Sequence, residues 1–409
     1  MANNVKTFTK KALELYNGLL HLLPTWVPRV FCIPGRRLKL HVDDLYALGT
    51  KRGGIDERWF SSTCPADNGP GTPTDEGLSY TYCDGEKMLL KDIVAELGTG
   101  ILGDKVMNKW GGLKVFSKFF DNMDALPHHI HLGQYHAKNV GMEGKPEAYY
   151  FAPQVNFTEN NFPYTFFGLE PGTTKDQVRQ CLLNFEKGDN KITNLSKAYR
   201  LEVETGWLLP PGILHAPGSL CSYEPQWASD VYGMYQSLVA NKPIDRSLLV
   251  KDVPEKYKDD IDYIMDIIDW DLNVDPNFKE KFHLTPIQIG DSKSKGYVER
   301  WVVYGKVHGE EVFSAKELTV YSGAKVTIKD TGAYGFITVQ GHGKINEIPF
   351  ESPNMIRFGD ITRDEFFVPY STAIKGVTIE NTGNEPLVML KHFGPDCNPD
   401  MPSKERKAV

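Results

Sequence analysis

The chain has 409 residues, 41% of them hydrophobic and 24% charged, with 37 glycines and 26 prolines close to average usage. This excludes a disordered, collagen-like or low-complexity protein, and the length exceeds what one core supports, so two domains are expected. A formal net charge of −7 from 46 basic and 53 acidic residues, with no Lys/Arg-rich block, leaves no electrostatic footprint for nucleic acid.

Near the N-terminus, Leu15, Leu19 and Leu22 or Leu23 recur at helical spacing and predict an amphipathic helix. Glu14, Asn17 and His21 interrupt any signal-peptide core, and no run reaches the ~20 apolar residues of a membrane span. The expected compartment is the cytoplasm, where the six scattered cysteines stay reduced. Lys87 to Leu97 reads as a helix stopped by Gly98, and Thr174 to Gln177 offers a capping box for a second helix running to Gly188. Strand-like runs such as Ala148-Tyr-Tyr-Phe and Gly206-Trp-Leu-Leu fill residues 115–240, and a helical stripe from Pro254 to Trp270 predicts a connector. From Tyr297 to Lys391, short alternating runs break every eight to twelve residues at Gly, Asn or Asp turns, the pattern of a sandwich or jelly roll. The expected fold is mainly β, two jelly-roll barrels with added helices. Residues 1–240 form the catalytic unit, 241–295 a helical connector, 296–400 a second barrel and 401–409 a loose tail.

Four of the eleven histidines, His128, His129, His131 and His136, fall within nine residues. On a strand, His129 and His131 share a face, while His128 points away. Glu147 follows, and Pro210-Pro-Gly-Ile-Leu-His215 is a turn that feeds a third histidine onto an adjacent strand. His129, His131, Glu147 and His215 together suit one divalent first-row metal with room for substrate or water. His128 and His136 are expected outside that set.

The H-x-H pair, the later Glu and P-x-G-x-x-H resemble the two motifs of the cupin fold, and the longer context resembles type I phosphomannose isomerase. Glu57-Arg-Trp-Phe-Ser-Ser, Gly111 to Asp121, Gly144-Lys-Pro-Glu147, Pro210 to Gly218 and Glu224 to Tyr232 follow that family's order over about residues 25–240. The resemblance implies a zinc-dependent aldose–ketose isomerase working through a cis-enediolate on a sugar or sugar phosphate. Iron, manganese, cobalt and nickel also suit three imidazoles. Lys145, two residues before Glu147 and on its face, is the implied acid/base. Arg58, Arg200 and Tyr232 are candidate substrate contacts.

The chain departs from the family at two places. His129 stands where the family has glutamine, giving the ligand set of cupin oxygenases, so an iron- or manganese-dependent oxygenase is the alternative. Gly233 stands where the family has a catalytic arginine, which keeps a non-catalytic sugar-binding homologue open as well. The second barrel places Ile374 where a ligand histidine would fall, and Gln340-Gly-His342 reads as a turn. That half is expected to be metal-free, supplying a wall or a homo-oligomer contact.

Overall fold

The computed structural model describes residues 2–158, 162–290 and 292–403. Residues 404–409 of the expected tail lie outside the described residues. The fold is mainly β, as two jelly-roll barrels. In the first barrel an eight-stranded sheet faces a five-stranded sheet; in the second a seven-stranded sheet faces a four-stranded one. Each barrel is closed by strands that alternate a buried inward residue with an outward one.

The larger sheets pack outer face to outer face. Ala148 and Tyr150 of the Glu147–Tyr150 strand, Phe119 of Val115–Phe120 and Phe60 of Gly54–Phe60 meet Trp301, Ile337 and Leu390 of the second barrel in one shared core. Some polar groups buried between the barrels are paired across it, while others, such as His392 Nε2 and Ser117 Oγ, are not. Tyr150 donates to Glu317 Oε2 (2.8 Å), and the Tyr223 hydroxyl lies 2.9 Å from His392 Nδ1.

Three expectations about elements are corrected. The N-terminal helix ends at Leu15, and its buried face is Val5, Phe8 and Ala12, not the later leucines. Leu20–His21 is instead a strand pairing with Phe366 and Phe367 of the second barrel. The Lys87–Leu97 helix begins at Leu90, because Glu86–Leu89 is held in a hairpin with Tyr80–Cys83; it breaks beside the expected stop, at Leu97 (φ −120°, ψ 17°), and a second helical piece carries the chain on to Leu102. The connector is not one helix: Asp260 and Asp269 accept backbone N–H groups as N-caps and divide it into Ile261–Asp266 and Trp270–Asn273. It also supplies strands to both barrels, His283–Leu284 beside Gly206–Leu209 and Ile287–Gln288 beside Tyr297–Val303. By contrast, the capping box at Thr174 is present, heading the helix Lys175–Leu183.

Ile374 does not face the second barrel's interior. It sits on the helix Tyr370–Lys375 and is 43% exposed. Lys316 and Lys391 are buried in that barrel beside Asp330, at 2.7 and 2.9 Å. Gln340, Gly341 and His342 form the tight link between two strands, with Gly341 at positive φ.

Candidate metal centre

The strands His129–Ile130 and His215–Ala216 are antiparallel neighbours in the five-stranded sheet, with His215 directly opposite His129. The turn before His215 is set by Gly212, whose positive φ is open to glycine and whose N–H donates to the His131 carbonyl at 2.8 Å. His131 follows its strand and is thereby pinned to the same turn. Opposite, across the barrel, the Glu147–Tyr150 strand of the larger sheet turns Glu147 and Tyr149 inward and Ala148 and Tyr150 outward.

Each of the three imidazoles spends its Nδ1 on a backbone carbonyl: His129 on Pro127 (2.8 Å), His131 on Val231 (2.8 Å) and His215 on Ile213 (2.7 Å). A carbonyl only accepts, so each Nδ1 carries the proton and each Nε2 presents a lone pair. One ring nitrogen from each imidazole lies within 4.8 Å of the others, all buried. Burial also pushes His131 down to about 4 and His129 well below its ordinary value, keeping both neutral, the form that ligates. Glu147 completes the cluster, 3.0 Å from His131 Nε2 and 3.1 Å from His215 Nε2, although His215 Nε2 makes no hydrogen bond. Three buried imidazoles and a carboxylate, each oriented with a donor atom toward the others, fit a divalent ion.

Lys145 Nζ lies 3.0 Å from His131 Nε2 and 3.3 Å from Glu147, and burial pushes its amine below the usual lysine range. The Tyr149 hydroxyl donates to Glu147. His128 is buried beside Phe166, outside the triad, and His136 lies on the helix Gln134–Lys138, 3.3 Å from Asp266.

The substrate candidates divide. Tyr232 is buried and lines the cavity beside the triad. Arg58 points the other way: it alternates with inward Glu57 and crosses the barrel interface to Asp364 (2.7 and 2.9 Å), stacked over Trp26 and Phe60. Arg200 is exposed on the edge strand Ser196–Arg200 and lines neither the cavity nor its approach.

Sequence reading gave no role to five charged groups in the same interior. Arg29 ends the strand Thr25–Arg29 and is held by Glu57 and Asp230; Lys118 lies 3.0 Å from Glu57 and 3.2 Å from Glu224. Burial pushes the Glu224 carboxyl up to about 7 against the pull of Lys118. Strand alternation was the available signal for Glu57 over Arg58; nothing local marked Arg29.

The cavity beside the triad holds only about 30 Å³. Phe31 and Tyr232 separate it from a vestibule of about 670 Å³, whose lining includes Lys51, Arg52, Lys251 and Lys258 and the loop Asp67–Gly71. Arg52 is paired with Glu76, Lys251 with Asp67 and Asp252, and Lys258 with Glu255.

No family model and no curated protein sequence matches the chain. Solved structures do. A mannose 6-phosphate isomerase from Bacillus subtilis shares 14% identity, covering 92% of this chain and 99% of that one at a TM-score of 0.60. A mutant phosphomannose isomerase from Salmonella typhimurium shares 12%, covering 92% and 100% at 0.62. A mannose 6-phosphate isomerase bound with zinc and yttrium shares 12%, covering 92% and 100% at 0.58. At these identities the likeness establishes the fold, along the whole length of the neighbours. No helix among the described residues is long and apolar enough to cross a membrane.

Proposed function

We propose that this chain is a metal-dependent aldose–ketose isomerase, akin to the mannose 6-phosphate isomerases whose fold it shares, acting on a sugar or sugar phosphate. The observation that carries the reading is the convergence of three buried imidazoles, with the Glu147 carboxylate 3.0 and 3.1 Å from two of them and the Lys145 amine beside it.

His129, His131, His215 and Glu147 would hold the ion. When bound, a divalent cation supplies Lewis-acid stabilisation of the negative charge that develops on the C1 and C2 oxygens. Zinc leads, as in one structural neighbour, with iron, manganese, cobalt and nickel as further candidates. Lys145 moves the proton between C2 and C1: its amine lies 3.3 Å from Glu147, and burial favours its neutral form. Tyr149 orients Glu147, and Glu224, titrating near neutrality, is a second proton reservoir in the same interior. The inner cavity admits the reacting end only after Phe31 and Tyr232 part, and the rest of the sugar lies in the vestibule. A phosphate there meets Lys51, Lys251 and Lys258, with Arg58 and Arg200 playing no part.

Metal-replete protein is incubated in deuterated water with free and phosphorylated mannose, fructose and pentoses, and deuterium at C1 or C2 is followed. Isomerisation with exchange is expected, and Lys145→Met is expected to lower the rate about 10²- to 10⁴-fold with the metal retained. A second reading, a cupin-type oxygenase, is favoured by the third imidazole. Oxygen consumption by the wild type together with an unaffected Lys145→Met would establish it over the isomerase.

A further inference from the structure

Three cations line the interior beside the triad: Lys118, Lys145 and Arg29. Lys118 lies between Glu57 and Glu224, and Lys145 lies against His131 and Glu147. The segment following Asp230 adds none. Its inward residues are Tyr232 and Met234, and Gly233 lies between them, where a Cβ would come within 2.9 Å of the Leu249 carbonyl. Any side chain at 233 would therefore press on the outer helical layer and leave the cavity unreached.

We propose that Arg29 is the substrate-facing cation of this site, donating from Nη2 to a sugar oxygen at the neck between cavity and vestibule, with Glu57 and Asp230 as its positioning residues. The proposal rests on the isomerase reading. Arg29 is 3% exposed and comes from the opposite sheet to the imidazoles. Its Nε donates to Glu57, and its Nη1 to Asn68 Oδ1 (2.9 Å) and Asp230 Oδ2 (3.3 Å). Both contacts of Nη2, at 3.2 and 3.3 Å, go to the same Asp230 carboxylate, and Arg29 itself lines the cavity, so a substrate oxygen there can share Nη2. Asn68 belongs to the vestibule wall, and Asp230 also accepts the Asp67 N–H at 3.0 Å, so the guanidinium bridges the two compartments. Two carboxylates on one guanidinium fix its plane before substrate arrives, which is the preorganisation that stabilises charge as it forms.

The test compares wild type, Arg29→Lys and Arg29→Ala. Arg29→Lys keeps the charge facing Glu57 and Asp230, so it folds, but it loses the planar fork. Metal content is read by elemental analysis, and D-arabinonohydroxamate, a planar mimic of the enediolate, is titrated calorimetrically with and without its 5-phosphate. Both variants are expected to hold one equivalent of metal and to bind the hydroxamate about 10- to 100-fold more weakly, with or without the phosphate. Arg29→Ala is expected to regain turnover with millimolar guanidinium, and Arg29→Lys is not. Wild-type affinity and turnover in Arg29→Lys would overturn the assignment. A wild type that turns over no sugar would instead overturn the isomerase reading, and the proposal with it.

Discussion

At the scale of single residues, the imidazole hydrogen bonds decide what the interior can hold. His129, His131 and His215 each donate Nδ1–H to a carbonyl, so the backbone dictates the tautomer and no rearrangement is needed to expose the Nε2 lone pairs. Elemental analysis is expected to find about one divalent ion per chain, and His131→Ala or His215→Ala to empty the site, because each imidazole supplies a short bond that the remaining ligands cannot replace. Retained metal in His215→Ala would refute the ligand set. Chelation is expected to lower the thermal midpoint of the wild type and leave that of His215→Ala unmoved, since an ion bound only to the native state stabilises by mass action.

At the scale of elements, the caps decide where helices begin and end. Thr174 and Gln177 satisfy each other's backbone N–H groups at the start of Lys175–Leu183, whose Val178, Cys181 and Leu182 pack under the five-stranded sheet. Thr174→Ala is expected to cost about 0.5–2 kcal/mol of stability in denaturant titration, with metal content unchanged. This helix was legible because its start signal and apolar stripe are both local. Likewise, His129, His131 and His215 were legible because H-x-H and P-x-G-x-x-H each lie within one strand or turn. The connector misled because Tyr257, Ile261, Ile264, Ile268 and Trp270 keep a helical stripe across Asp260 and Asp269, whose side chains cap and break it. Arg58 and Leu20–His21 were illegible for a different reason. Their partners, Asp364 and Phe366–Phe367, lie more than 300 residues away, and no spacing reports a contact of that range.

At the scale of the whole molecule, the two barrels are joined by a buried lock in which one cation faces two carboxylates. Arg58 grips Asp364 in two parallel hydrogen bonds and lies 3.5 Å from Glu365, whose other oxygen accepts the Ser61 N–H at 3.0 Å. One guanidinium cannot neutralise both, so burial and the neighbouring Asp364 push the Glu365 carboxyl up to about 8 despite Arg58. Arg58→Met is expected to destabilise the protein by about 3–5 kcal/mol, because it strands Asp364 without a partner, while leaving metal content intact. The proton on Glu365 has its own consequence. The folded state keeps it up to about pH 8, whereas the unfolded chain releases it near the ordinary value of 4.5. The raised value therefore contributes stability fully below pH 4.5, and that contribution is lost as pH rises through 8, at about 1.4 kcal/mol per unit. Glu365→Gln keeps a neutral group of the same shape and removes the titration. Between pH 5 and 8 the wild-type thermal midpoint should fall relative to that of Glu365→Gln, the gap widening with each unit. Parallel curves would mean that Glu365 is ionised in the fold and that Arg58 holds both charges.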